Sequence, residues 1–467
     1  MALRLQQILT EGIAQLSYLI GDDSSRTAAV IDPRPDVDVY LRLAREYGLS
    51  ITHVFETHIH ADFVSGIHEL IDRLGGSAQA FVSAEGGAKY GFKHKSLHDG
   101  DSFEFGKTLL TARHTPGHTP EHMSYVASEK GKPKTPFAVF TGDSLFVSSA
   151  GRPDLLGDKE TGTLVKQLHK TLFDFYMKLD DEVIIYPGHG HGSPCGADIG
   201  DRLSSTIGHE RHGNAFLKHK EFENFREYAL STAPPTPTYY LRMKKVNAAG
   251  APVIGRLPPV PAMPAKAFSE AIASGKHVVI DTRSMLAFGG AHIQGALNLG
   301  ANRAELSLWA GWMLDPKMPI YLVLESDGKL DEVIALFVRT GYTEFGGYLA
   351  GGMAAWVNAG LPLQTLRQMP VHELAKHEEV SRLDVRSPEE WKEGHMPHAR
   401  HMFLPDLRDA RNRPDKNKPV AVYCDSGYRA SLAASWLQAH GIADVRNVPG
   451  SWQAWTGAGL PVAKEGK

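Results

Sequence analysis

Cysteine is scarce in this chain: two in 467 residues, Cys195 and Cys424, far apart. Two distant thiols build no disulfide framework, so each is read by itself and a reducing cytoplasm is expected. No apolar run reaches the length of a membrane span. The opening residues Met1–Gln7 lack the apolar core of a signal peptide. An excess of one charge is missing too. The formal net charge of −3 argues against nucleic acid as a partner. What the chain has in plenty is histidine, with 23 copies, and length. It is too long for one ordinary domain, and roughly three is the prior.

Residues 1–232 mix apolar strands with amphipathic helices. A strand over 26–32 precedes helical spacing from Asp36 to Tyr47, closed by Gly48. The apolar strand 51–55 runs into Thr57-His58-Ile59-His60-Ala61-Asp62-Phe63. A strand at 137–140 leads to Thr141-Gly142-Asp143, and one at 182–186 to Pro187-Gly188-His189. An amphipathic helix is expected over Val165–Leu179, and a long helical stretch from about Asp201 to Leu230. Prolines bracket 233–264, where periodicity is weak, so this reads as an ordered linker. The remainder repeats itself. Asp281-Thr282-Arg283 recurs as Asp384-Val385-Arg386, and Gly360-Leu361-Pro362 as Gly459-Leu460-Pro461. A repeat of roughly a hundred residues fits two copies of one α/β domain, at 265–365 and 366–467. Strands alternating with helices imply a central parallel sheet in each.

A bare His-x-His is weak evidence in so histidine-rich a chain. Three later residues give it weight: His118 in a Pro/Gly turn, Asp143 at the end of a strand, and His189 at the end of another. Each polar cluster comes directly after an apolar strand, so they should converge at one edge of the sheets. His53 and His191, taken singly, read as ordinary loop or surface histidines.

Over about residues 1–230 these motifs resemble the metallo-β-lactamase superfamily. The resemblance implies an αββα sandwich. The usual binuclear pattern has a histidine directly after the aspartate; this chain has Phe63 there, whose ring cannot ligate. A single metal is therefore expected. Persulfide dioxygenases are the subfamily that holds one metal, and Gly151-Arg152-Pro153-Asp154 resembles their Gly-Arg-x-Asp stretch. The resemblance implies one Fe(II) per chain on His58, His118 and Asp143, with open positions beside it. Zinc fits the same ligands but has no redox chemistry. His60, Asp62 and His189 would then surround the ligands or be remnants of a second site. Arg152 would fix the loop or a substrate carboxylate, or else form a structural ion pair. Cys195, just past His189, either borders the pocket or is inert.

A second constellation lies near the C-terminus. The strand Ala421-Val422-Tyr423 ends in Cys424-Asp425-Ser426-Gly427-Tyr428-Arg429, and a helix is expected over 430–440. A thiol at the head of such a loop faces backbone N–H groups and a helix N-terminus, which with Arg429 favour the thiolate. This loop, with Asp384-Val385-Arg386 ahead of it, resembles the rhodanese sulfurtransferases. In the first copy Glu325 stands where the second has Cys424. A carboxylate cannot carry a sulfane sulfur, so that copy is expected to be inactive.

Together the motifs resemble fused persulfide dioxygenase–sulfurtransferases. The resemblance implies a low-molecular-weight persulfide such as glutathione persulfide, dioxygen, and sulfite or thiosulfate as small-molecule partners, with no nucleic acid or membrane. A homo-oligomer is expected. Two other readings stay open: a zinc thioester hydrolase resembling glyoxalase II, and a non-catalytic sulfur carrier.

Overall fold

The computed structural model describes residues 3–255, 257–301 and 305–464; Met1 and Ala2 of the opening stretch lie outside it. The chain divides into two compact units. One is Met1–Arg256 with Val338–Gly341, and the other is Leu257–Phe337 with Tyr342–Lys467.

The first unit holds two six-stranded sheets. Strands β1 (Leu3–Thr10), β2 (Gln15–Asp22), β3 (Thr27–Ile31), β4 (Ser50–Phe55), β5 (Gln79–Ser83) and β6 (Lys95–Leu97) form one, in chain order. Then come β7 (Ser102–Phe105), β8 (Thr108–His114), β9 (Met123–Glu129) and β10 (Lys132–Gly142). A two-stranded ribbon is next, β11 (Leu145–Phe146) with β12 (Ser149–Ala150), then β13 (Ile184–Pro187) and β14 (Ser205–Thr206). The second sheet runs β14-β13-β10-β9-β8-β7.

Side chains alternate across each strand, which sorts them into layers. Leu16, Tyr18 and Ile20 of β2, with Ala29 and Ile31 of β3, meet Met123, Tyr125 and Phe140 between the sheets. Leu19, Ala28 and Val30 point the other way, onto helices Asp38–Tyr47 and Ile67–Arg73. Val139 and Ile185 on the outer face of the second sheet cover Val165 and Leu168 of helix Asp158–Lys170. Helix, sheet, sheet, helix is the expected sandwich. Gly48 ends the first helix at φ 64°, donating to the carbonyls of Ala44 and Arg45, a left-handed cap that glycine adopts cheaply.

Two helices differ from their sequence expectation. The one over Val165–Leu179 begins earlier, at Asp158, and loosens into a π turn at Thr171–Phe175 and a 3-10 turn at Tyr176–Lys178. The long stretch up to Leu230 is broken into Ile207–Gly213, a 3-10 turn Phe216–Lys218 and Phe222–Ser231. Asn214 makes the break: its backbone is extended, and its amide donates to the Ser149 carbonyl at 2.9 Å. Within 233–264 the chain forms helix Tyr240–Ala249, with Tyr240, Met243 and Asn247 facing inward at helical spacing.

The second unit holds two parallel five-stranded sheets. One is built from β15 (Ala262–Met263), β16 (Val278–Asp281), β17 (Leu297–Asn298), β18 (Ile320–Val323) and β19 (Phe345–Leu349). The other uses β20 (Arg367–Gln368), β21 (Ser381–Asp384), β22 (Ala399–His401), β23 (Val420–Tyr423) and β24 (Val445–Asn447). Their orders, β15-β19-β18-β16-β17 and β20-β24-β23-β21-β22, are the same topology twice, as the internal repeat requires. One apolar core runs through both copies. Polar groups join them as well: the Asn298 N–H donates to Ser435 Oγ at 2.9 Å, and the Ser431 hydroxyl to Asn298 Oδ1 at 2.5 Å.

Candidate metal centre and sulfur-transfer loop

The polar segments just past β4, β10 and β13 meet at one end of the sandwich. The Thr57 N–H and hydroxyl both donate to the Asp32 carboxylate, at 2.7 and 2.8 Å. With its proton committed there, Thr57 Oγ1 accepts from His58 Nδ1 at 2.9 Å. That fixes the tautomer and leaves His58 Nε2 a free lone pair. His118 is set the same way, its Nδ1 donating to the Arg152 carbonyl at 2.9 Å. The two Nε2 atoms lie 3.8 and 3.6 Å from a single oxygen, Asp143 Oδ2.

Burial pushes both imidazoles well below their ordinary value, so both are neutral. Asp143 Oδ2 is buried and has no hydrogen-bond partner among the described residues. Three atoms therefore face one another with lone pairs and no proton between them. An unpaired buried polar atom costs roughly 1–3 kcal/mol, a cost that a cation at the centre removes. The donor atoms lie within 4.8 Å of one another. Two imidazoles and a carboxylate suit a first-row divalent ion and leave coordination positions open.

His60 lies beside this cluster but is turned from it. Its Nε2 is 2.9 Å from Glu56 Oε2 and 3.1 Å from Asp32 Oδ1, and its ring packs on Phe63 at 4.5 Å. Burial opposes its charge, yet the two carboxylates hold the imidazole well above its ordinary value. A protonated ring is no ligand. His189 bridges two acids: Nδ1 lies 2.7 Å from Asp143 Oδ1 and Nε2 2.7 Å from Asp62 Oδ2. Burial again works against the charge, and the carboxylates of Asp143 and Asp62 push His189 up to about 10.

Three supporting residues escape a sequence reading. His122 Nε2 accepts the Asp143 N–H at 3.0 Å, and its Nδ1 donates to the Thr115 hydroxyl at 2.9 Å. Burial lowers it to about 3, consistent with that acceptor role. Its place four residues after His118 in one turn was the available signal. Glu121 Oε1 accepts the Ile59 N–H at 3.0 Å. The Asn247 amide donates to the carbonyls of His60 and Phe63, each at 2.8 Å, and fastens the loop from a helix that sequence spacing does not connect to it.

Arg152 is buried and fully engaged. Its Nε and Nη2 donate to Asp154 at 2.8 and 2.7 Å, and further bonds reach the Pro194 carbonyl and Thr236. It orders the loop that presents the His118 acceptor. Cys195 is brought close to Asp62 and His189. His53 lies half-buried among Phe55, Phe81, Phe103 and Phe105, and His191 is exposed.

At the other constellation β23 ends at Tyr423 and Cys424 opens the loop. The Gly427 N–H donates to Cys424 Sγ at 3.1 Å, and the Cys424 N–H to Ser451 Oγ at 3.0 Å. Gly427 has φ 104°, a backbone conformation that glycine adopts without strain. Helix Tyr428–Ala439 comes next. Arg429 does not reach for the sulfur with a free fork. It is held by Glu390 and lies over the Trp309 ring at 5.9 Å. In the first copy the matching loop becomes a 3-10 turn, Asp327–Lys329, with Glu325 exposed ahead of it.

The Metallo-beta-lactamase superfamily model matches residues 11–189, and the Rhodanese-like domain model matches twice, at 264–359 and 370–458. The mitochondrial persulfide dioxygenase ETHE1 of Bos taurus is 33% identical over 189 residues, 40% of this chain and 68% of that one. A hydroxyacylglutathione hydrolase of Polaromonas sp. is 29% identical over 229 residues, 47% of this chain and 82% of that one. A crystal structure of a metallo-beta-lactamase from Staphylococcus aureus superposes with a TM-score of 0.67 at 31% identity, covering 75% of this chain and 99% of that one. His58, His118 and Asp143 thus form a cluster of the metallo-beta-lactamase type that could hold a metal ion. The chain belongs to the persulfide dioxygenase family of the metallo-beta-lactamase superfamily, in a fusion with two rhodanese-like domains.

Proposed function

We propose that the chain is a bifunctional enzyme of sulfide detoxification that oxidises a low-molecular-weight persulfide, such as glutathione persulfide, and transfers sulfane sulfur through Cys424. The observation that carries the first activity is the set of three converging lone pairs on His58 Nε2, His118 Nε2 and Asp143 Oδ2. Two neutral imidazoles and a carboxylate would hold one Fe(II). Bound there, ferrous iron would supply open positions for a soft sulfur donor and for dioxygen, and the redox capacity that zinc lacks. Thr57 and the Arg152 carbonyl keep both imidazoles in the ligating tautomer. His189 and His122 orient Asp143 from its other oxygen and its backbone.

The overall step balances as one persulfide, one dioxygen and one water giving one thiol, one sulfite and two protons. The outer sulfur loses four electrons and dioxygen gains them. In the second activity the Cys424 thiolate attacks the outer sulfur of a persulfide, and the donor leaves as thiolate. Sulfite then takes that sulfur from the Cys424 persulfide, giving thiosulfate and free thiolate. The Gly427 N–H supports the anionic sulfur in each state. Small molecules are thus the partners, and two free thiols suit a reducing cytoplasm. No helix among the described residues is long and apolar enough to cross a membrane.

Metal analysis combined with an oxygen electrode tests the reading. Iron near one per chain, with dioxygen uptake on glutathione persulfide, supports it. Zinc with cleavage of S-lactoylglutathione and no dioxygen uptake would replace it with a thioester hydrolase.

A further inference from the structure

Arg152 is committed to Asp154 and Thr236, so it offers no free cation to a ligand at the metal centre. Helix Tyr240–Ala249 offers one. Tyr240, Lys244 and Asn247 fall on one stripe of that helix, at i, i+4 and i+7. The ends of the stripe bracket the cluster of His58, His118 and Asp143. The Tyr240 hydroxyl lies 3.7 Å from Cys195 Sγ, on the His189 side. The Asn247 amide donates to the carbonyls of His60 and Phe63 on the other side, each at 2.8 Å. Lys244 stands between these two contacts.

The charge of Lys244 is felt at the cluster. After burial, it is the next influence that lowers His118, and it lowers His58 too, behind burial and the neighbouring imidazoles. The ammonium has neither a hydrogen bond nor an ion pair among the described residues. Burial presses it below its ordinary value, and the Glu121 carboxylate opposes that. A charge enclosed without a partner is costly, and an anion docked beside it removes that cost. Tyr90 adds a second unpaired donor. The Gly91 N–H donates to the Ala248 carbonyl at 2.8 Å, which ties the Tyr90 loop to the helix one turn beyond Lys244. The Tyr90 hydroxyl is buried with no hydrogen-bond partner among the described residues. Burial, then the charges of Glu121 and Glu56, push it well up, so it keeps its proton to donate. Glu121 bears on both donors but forms no ion pair with Lys244 among the described residues; its Oε1 accepts the Ile59 N–H at 3.0 Å.

We propose that Lys244, assisted by the Tyr90 hydroxyl, binds a carboxylate on the organic tail of the persulfide and so turns its outer sulfur toward His58, His118 and Asp143. The substrate class is then a persulfide of an amino-acid or peptide thiol with an anionic tail. A compact ammonium with three donors and a phenol with one suit the two oxygens of a carboxylate. The inference rests on the persulfide reading of the metal centre and adds the group that selects among persulfides.

The test is a ligand-observed NMR titration of the full chain carrying Cys424→Ser, stripped of metal with a chelator. The probes are the thiols themselves: glutathione against its diethyl ester, and cysteine against its ethyl ester. The acids should bind this parent more tightly than the esters. Lys244→Met keeps the length and removes the charge. It should weaken the tighter-binding acid at least about tenfold, the effect of losing a hydrogen bond to a charged group. Ester binding should not change, which shows that the pocket is intact. Lys244→Arg should restore most of the acid affinity, and Tyr90→Phe should cause a smaller drop. Acid and ester binding alike, failure of both acids to bind the parent, or an acid affinity unmoved by Lys244→Met would overturn the proposal. So would an equal loss of acid and ester. No arm needs iron or dioxygen, so failure here leaves the proposed oxidation standing. A wild type without dioxygen uptake would remove that oxidation and leave the anion site.

Discussion

Arg429 and Glu390 are joined by two parallel hydrogen bonds, Nη1 to Oε2 and Nη2 to Oε1, each 2.6 Å. Glu390 also closes a capping box with Ser387 at the start of helix Pro388–Glu393, so one carboxylate serves a helix end and the Cys424 loop together. Burial works to raise its carboxyl, but Arg429 outweighs burial and holds it below the ordinary 4.5. A folded value below the unfolded one gives stability that is present above about pH 4.5 and is lost as pH falls through the lower folded value. Glu390→Gln should therefore cost roughly 2 kcal/mol at neutral pH, because it strips a charged partner from a bidentate pair. Urea unfolding of the full chain checks this. Wild type and variant should converge in acid, and an undiminished gap there would refute the linkage.

The polar residues that gather at one end of the sandwich were legible in the sequence because each strand there is a short apolar run with a polar residue directly after it. Thr57-His58, Asp143 and His189 each stand just past such a run. The repeat was legible for a similar reason: its matching motifs lie on matching strands of one topology. The controls on the site were not legible. Nothing local announces that Glu56 and Asp32 capture His60, or that Asn247 reaches back to the carbonyls of His60 and Phe63. These are contacts between remote segments, visible only once the sheets stack. The break at Asn214 was hidden likewise, because its amide answers to carbonyls of another loop.

Cys424→Ser should abolish thiosulfate formation while dioxygen uptake on persulfide persists. A serine hydroxyl keeps the volume and can still meet the Gly427 N–H, but it cannot hold a sulfane sulfur. Parallel oxygen-electrode and thiosulfate assays on one preparation decide the matter. Loss of both activities with the fold intact would refute two separable sites.

Glu325→Ala should leave sulfur transfer unchanged. Glu325 is exposed, and removing an exposed carboxylate costs within about 0.5 kcal/mol. The first copy contributes through packing instead: the Tyr428 hydroxyl donates to the Gly300 carbonyl at 3.0 Å. A large loss of transfer in Glu325→Ala, with unfolding unaltered, would show that the first copy does chemistry.

Thr57→Val tests whether the relay from Asp32 to His58 sets the ligand tautomer. Valine matches threonine in shape but has no hydroxyl. His58 Nδ1 then loses its acceptor at 2.9 Å, and Asp32 Oδ2 loses its donor at 2.8 Å. Freed from Thr57, the imidazole can carry its proton on Nε2, where it blocks the metal. Loss of such a supporting bond typically costs about 10–100-fold in metal affinity. Competition with a ferrous chelator should show that drop. Thr57→Ser, which restores the hydroxyl without the methyl, should recover most of it. Equal affinity in the valine and serine variants would mean that packing, and not the hydroxyl, positions His58.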